Sequence, residues 1–127
     1  MERNPNLKIL LVDDDHDFCH FIVDLIFRRV GIKPKVAKNG LEAEEIMKNW
    51  CPDVLITDTN MPHKNGVELI QAVRANYSQV VIFSLFNGLI DSPVTGDEIK
   101  AMGVYMVLNK SEIPSRLLPA LEMFAIE

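Results

Sequence analysis

The sequence predicts an α/β domain with a parallel sheet covered by helices on both faces. Three observations carry this. Short apolar runs alternate with amphipathic segments of helical spacing, strand and helix alternating five times along the chain. The runs are rich in branched residues and continuous rather than alternating, as expected of strands buried on both sides. Four of them stop at a polar residue. Alternation of this kind implies βαβ crossovers and helices on both faces.

Lys8 to Val12 is the first run and stops at Asp13-Asp14-Asp15. Phe18, Phe21, Ile22, Leu25, Ile26 and Arg29 then keep helical spacing, and Gly31 is placed to end that helix. Lys33 to Ala37 is a weaker strand candidate. Asn39 suits an N-cap for a helix over Leu41 to Trp50, with Glu42, Glu44 and Glu45 near its positive end. Val54 to Thr57 runs into Asp58, and Gly66 to Ala75 is the next helix. Val80 to Phe83 runs into Ser84, and Val104 to Leu108 runs into Asn109-Lys110. Between them, Phe86 to Asp97 reads as a long loop before a short helix, Glu98 to Met102. Ile113 to Ile126 closes the chain as a helix, where Pro119 removes one backbone bond and predicts a kink.

Composition bounds the function. The 127 residues fit a single domain over 1–127, with 48% hydrophobic and 24% charged residues. A net charge of −5 and the lack of a Lys/Arg cluster argue against direct nucleic-acid binding. No apolar run is long enough for a membrane span and no apolar signal region opens the chain, so a cytoplasmic protein is expected. Cys19 and Cys51 lack metal-ligand or CxxC spacing and read as reduced thiols.

Residues remote in sequence would meet where parallel strands end, because ligands bind at the carboxyl edge of such sheets. Asp13, Asp14 and Asp58 would then crowd together. Unit charges about 4 Å apart repel by roughly 4 kcal/mol at an effective dielectric of 20, so a proton is shared or a cation binds. Hard oxygen donors with room for water suit Mg²⁺, with the Asn60 carbonyl as a further ligand. Asp58 is the candidate nucleophile, since a carboxylate attacking phosphorus gives an acyl phosphate. Lys110 offers an ammonium and Ser84 a hydroxyl to the phosphoryl oxygens. Singly, these features have bland readings: an acidic triplet is often a helix cap, and a lone Ser or Lys a solvated turn residue. Their joint occurrence at strand ends is the specific signal. His16 and His20 could share a helix face but lack a third ligand, His63 reads as a solvated loop residue, and Trp50 as helix-end packing.

With ILLVDDD at 9–15, DVLITDTNMPHKNG at 53–66, VVIFS ending at Ser84 and MVLNK ending at Lys110, the chain resembles the receiver domain of bacterial two-component response regulators from Lys8 to Ile126. The resemblance implies a flavodoxin-like fold, a five-stranded sheet in the order 2-1-3-4-5 with five flanking helices. It implies Mg²⁺ held by Asp13, Asp14 and Asp58, and phosphoryl contacts from Ser84 and Lys110. It further implies a histidine kinase or phosphotransfer protein as donor, and a downstream protein or an output domain outside this chain as target. The face formed by the fourth helix, fifth strand and fifth helix would change on phosphorylation, and is a candidate homodimer surface.

Departures from the family pattern are also legible. Val107 stands where an aromatic residue is usual, with Tyr105 two residues earlier, and Ser111 replaces the proline after Lys110. The Ser84–Lys110 segment is longer than usual. Leu85, followed by Phe86 and Asn87, is expected to narrow access to the pocket and slow phosphorylation. Two other readings compete with a non-enzymatic phosphoacceptor. One is a phosphorylation-independent pseudo-receiver acting as an interaction module. The other is an aspartyl phosphatase or phosphotransferase, disfavoured because such enzymes carry the nucleophile on the first strand.

Overall fold

The computed structural model describes residues 6–59, 66–86 and 95–126. Asn60, His63 and Asn87 lie outside these, as does most of the loop expected between Phe86 and Asp97. Five parallel strands form one sheet in the order β2-β1-β3-β4-β5. They are β1 (Ile9–Val12), β2 (Lys35–Ala37), β3 (Val54–Asp58), β4 (Val81–Leu85) and β5 (Met106–Leu108). The helices are α1 (His16–Val30), α2 (Gly40–Met47), α3 (Gly66–Asn76), α4 (Gly96–Lys100) and α5 (Leu118–Phe124). This is the doubly wound arrangement expected from the alternation.

All residues of the central strands β1 and β3 are buried, which explains why their sequences do not alternate. Side chains still divide by parity between two cores. Ile9, Leu11, Val54, Ile56, Phe83 and Leu85 face the layer containing α1 and α5. Leu10, Val12, Leu55 and Ile82 face α2, α3 and α4. Helix α1 buries Cys19, Ile22, Ile26 and Val30, a stripe at helical spacing. Its first turn is capped by Asp15, whose carboxylate accepts the Phe18 N–H at 3.0 Å. Gly31, at φ 85°, ends it in the left-handed conformation, with its N–H on the Phe27 carbonyl. Asn39 caps α2 as expected, accepting the Glu42 N–H at 2.8 Å.

Five details differ from the sequence expectation. Strand β5 is limited to Met106–Leu108, and α4 begins at Gly96. Strand β4 continues through Leu85, so Ser84 is not its last residue. Leu85 shares a sheet face with Phe83 and is only 1% exposed, so its side chain fills the α1/α5 core instead of narrowing an entrance. The C-terminal helix is composite: a 3-10 turn (Lys110–Glu112), a π segment (Ile113–Leu117), then α5. The Leu118 N–H reaches back to the Ile113 carbonyl, one residue further than in an α-helix. Pro119 thereby falls in the first turn of α5, where its missing N–H costs little. No helix among the described residues is long and apolar enough to cross a membrane.

Candidate functional site

The parallel register brings the carboxyl tips of β1 and β3 side by side, Val12 opposite Thr57. Asp13 follows directly, its N–H bonded to the Ala37 carbonyl of β2 at 3.1 Å. Its Oδ1 accepts the Asp15 N–H at 2.9 Å, which turns the chain into α1. Asp58 is the last residue of β3 and pairs in register with Leu85. Carboxylate oxygens of Asp13, Asp14 and Asp58 all lie within 4.8 Å of one another. Asp13 and Asp58 are buried, and Asp14 is exposed. Such a set offers hard oxygens from two buried walls and one solvent-facing edge.

Lys110 enters from the far side of the sheet, at the start of the 3-10 turn after β5. Its Nζ is 3.0 Å from Asp13 Oδ2 and 3.7 Å from Asp58 Oδ2. The turn that presents it is fixed by a capping box in which the Glu112 carboxylate accepts the Asn109 N–H at 3.0 Å. The Lys110 ammonium also lies 4.0 Å from the centroid of the Phe18 ring. Burial lowers the Lys110 pKa, but hydrogen bonding and attraction from Asp13, then Asp58, outweigh it and leave the group above its ordinary value. Asp13 is pushed up, chiefly by burial and also by the Asp58 charge, against the pull of the Asp15 N–H and Lys110. One ammonium does not offset this concentration of negative charge.

Ser84 lies one register step behind Asp58, opposite Thr57. Its hydroxyl is buried and has no hydrogen-bond partner among the described residues. A buried polar atom left without a partner costs about 1–3 kcal/mol. His16 and His20 are exposed and take no part in the ligand-bearing cluster among the described residues. Cys19 is buried beneath it, with its thiol on the Asp13 carbonyl at 3.4 Å. Burial, then the Asp13 and Asp15 charges, push that thiol up to about 12, which disfavours the nucleophilic thiolate.

Sequence reasoning missed three supports. Thr59 clamps the tips of β3 and β4, its N–H and hydroxyl both donating to the Leu85 carbonyl at 3.1 and 3.2 Å. Gly66, the first residue of α3, packs against the end of β3: a Cβ there would lie 2.1 Å from the Asp58 carbonyl oxygen. A glycine opening an amphipathic pattern was the available signal for that close approach. Phe18 carried only a helical-periodicity signal.

A family model described as the response regulator receiver domain matches residues 9–122. The transcriptional regulatory protein CpxR of Escherichia coli is 33% identical over 94 residues, covering 74% of this chain and 40% of that protein. The autoinducer 2 sensor kinase/phosphatase LuxQ of Vibrio parahaemolyticus is 35% identical over 73 residues, covering 58% of this chain and 8% of that protein. This chain therefore spans well under two thirds of both curated relatives. The solved structure of chemotaxis response regulator CheY4 of Vibrio cholerae matches with a TM-score of 0.76 at 32% identity, over 91% of this chain and 96% of that one. Strand order, the acidic strand-tip cluster and these matches together place the chain in the family of response regulator receiver domains of two-component systems.

Proposed function

We propose that residues 1–127 act as a single phosphoacceptor domain that takes a phosphoryl group onto Asp58 and switches its contacts with a partner protein. The observation that carries this is the placement of the Asp58 carboxylate, buried at a strand tip, beside two other carboxylates and within 3.7 Å of the Lys110 ammonium. The donor is a phosphohistidine of a sensor kinase or phosphotransfer protein. An Asp58 oxygen attacks phosphorus as the P–N bond breaks; the imidazole leaves with the bond electrons and takes a proton, and an acyl phosphate remains. The step is group transfer to the protein itself, with no turnover of an external substrate.

The oxygens of Asp13, Asp14 and Asp58, all within 4.8 Å of one another, fit a hard divalent cation. These residues, with the Asn60 carbonyl, would hold Mg²⁺, which would neutralise charge on the phosphoryl oxygens. Lys110 orients the incoming group by charge, and the Ser84 hydroxyl donates to one of its oxygens. Both side chains are drawn toward the new dianion. That movement reaches β4 and β5 and, through them, the α4–β5–α5 face, which contacts an output domain, a downstream protein or a second copy of the chain. A cytoplasmic setting follows from such a donor.

Incubation with Mg²⁺ and acetyl phosphate tests the reading by intact-mass spectrometry. A gain of one phosphoryl group, absent from Asp58→Asn, is expected. No gain in the wild type would overturn the reading in favour of a phosphorylation-independent interaction module.

A further inference from the structure

We infer that Phe18 is a positioning residue for Lys110, holding the ammonium in place through the face of its ring. The ring centroid lies 4.0 Å from Nζ, well inside the reach of a cation–π contact. Among the described residues the Lys110 ammonium meets Asp13 at 3.0 Å, Asp58 at 3.7 Å and the Phe18 ring. Two are anionic and draw it into the cluster. The third is apolar in bulk and electron-rich on its face, so it attracts the charge without competing for the carboxylates.

This placement has a local cause. Phe18 is the residue whose N–H is accepted by the Asp15 cap at 3.0 Å, so the first turn of α1 is fixed where the ring departs. Its body packs against the α1/α5 core while its face meets Lys110. A lysine has a long, flexible stem and loses rotamer freedom when fixed. The ring supplies one wall of a seat that narrows those rotamers before the phosphoryl group arrives. The Lys110 side chain is 42% exposed, so without that wall the ammonium has more room to turn outward from the carboxylates into water. Because the ring lies on the first helix and the lysine after the last strand, the contact also ties these two elements at the site.

The functional part of this inference rests on the reading of Asp58 above; the geometric part does not, and two measurements separate them. The first is NMR of the full chain with labelled lysine. A ring facing the ammonium shifts the Lys110 ε-CH₂ protons upfield of the other lysines. That shift is expected to disappear in Phe18→Leu, which keeps apolar bulk, and to persist in Phe18→Tyr. Lys110 ε protons at the ordinary position in the wild type would overturn the inference. The second is the rate of phosphorylation by acetyl phosphate with Mg²⁺. Phe18→Leu is expected to slow it about two- to ten-fold, with Phe18→Tyr restoring it, a span that follows from the worth of a partly exposed cation–π contact. Equal rates in Phe18→Leu and wild type would overturn the positioning role. Absence of any phosphorylation in the wild type would instead strike the reading of Asp58.

Discussion

The two ends of the sheet handle charge in opposite ways. At the amino end, Lys8 and Lys35 stand over the Trp50 ring, with Nζ 5.9 and 4.9 Å from its centroid, and Asp53 accepts the Lys8 N–H at 2.8 Å. Lys8, Lys35 and Asp53 each have a local partner at the rim. At the carboxyl end, three carboxylates share a space 4.8 Å across, two of them buried, with one ammonium between Asp13 and Asp58. Burial raises the pKa of Asp13 there. Both ends belong to the same strands, so the difference lies in which side chains occupy the tips. One end is balanced as it stands. The other is electrostatically incomplete, and that is a condition a phosphoryl-accepting site needs.

Substitutions can break this contrast, beginning with the largest effect. Asp58→Asn is expected to abolish phosphorylation, read by intact mass, because an amide cannot form the acyl phosphate. Lys110→Ala is expected to slow phosphorylation by about a hundred-fold, the scale on which loss of one preorganised charge-stabilising donor is felt. Comparison of acetyl phosphate time courses measures it.

Asp13→Asn is expected to raise the melting temperature of the metal-free protein at neutral pH. The gain should be a few degrees, the shift that about 1 kcal/mol produces in a domain of this size. The amide oxygen can still accept the Asp15 N–H, while the buried negative charge is gone. The pH dependence has a definite sign. A carboxyl group raised in the folded state favours folding when protonated, and this contribution is lost as pH rises through the folded pKa. The advantage of the variant should therefore shrink as pH falls through that raised value, and vanish below the ordinary 3.8. Thermal melts at several pH values check it.

At the balanced end the smallest effect is expected. Lys35→Met should alter stability by no more than about 0.5 kcal/mol, as for most surface substitutions, and leave phosphorylation unchanged. Trp50 is the single tryptophan of the chain, so its emission reports that end directly. A large loss of phosphorylation in Lys35→Met would break the contrast between the two ends.

Much of this was legible in the sequence because strand tips announce themselves. A buried parallel strand is largely apolar, and polar residues gather where it ends; Asp13 directly follows β1, Asp58 is the last residue of β3, and Lys110 lies two residues past β5. Ser84 was placed one residue too late in its strand, since a following leucine buried in the core looks the same as a leucine at a pocket mouth. Capped helices were legible for a similar reason, with Asn39 and Gly31 acting at single positions. The composite last helix was harder. Pro119 signalled an interruption, but the π segment ahead of it depends on how Ile113 and Leu117 reach the core, a tertiary constraint without local signature. The Phe18–Lys110 contact joins residues far apart in sequence, and helical spacing alone marks Phe18 as a core residue.

Everything functional turns on whether carboxylates from two separate strand tips act as one cation site, and magnesium titration calorimetry on the purified protein measures that directly. One ion per chain is predicted, with binding clearly weakened in each of Asp14→Asn and Asp58→Asn. Binding that survives Asp58→Asn unchanged, or no saturable binding at all, would contradict it.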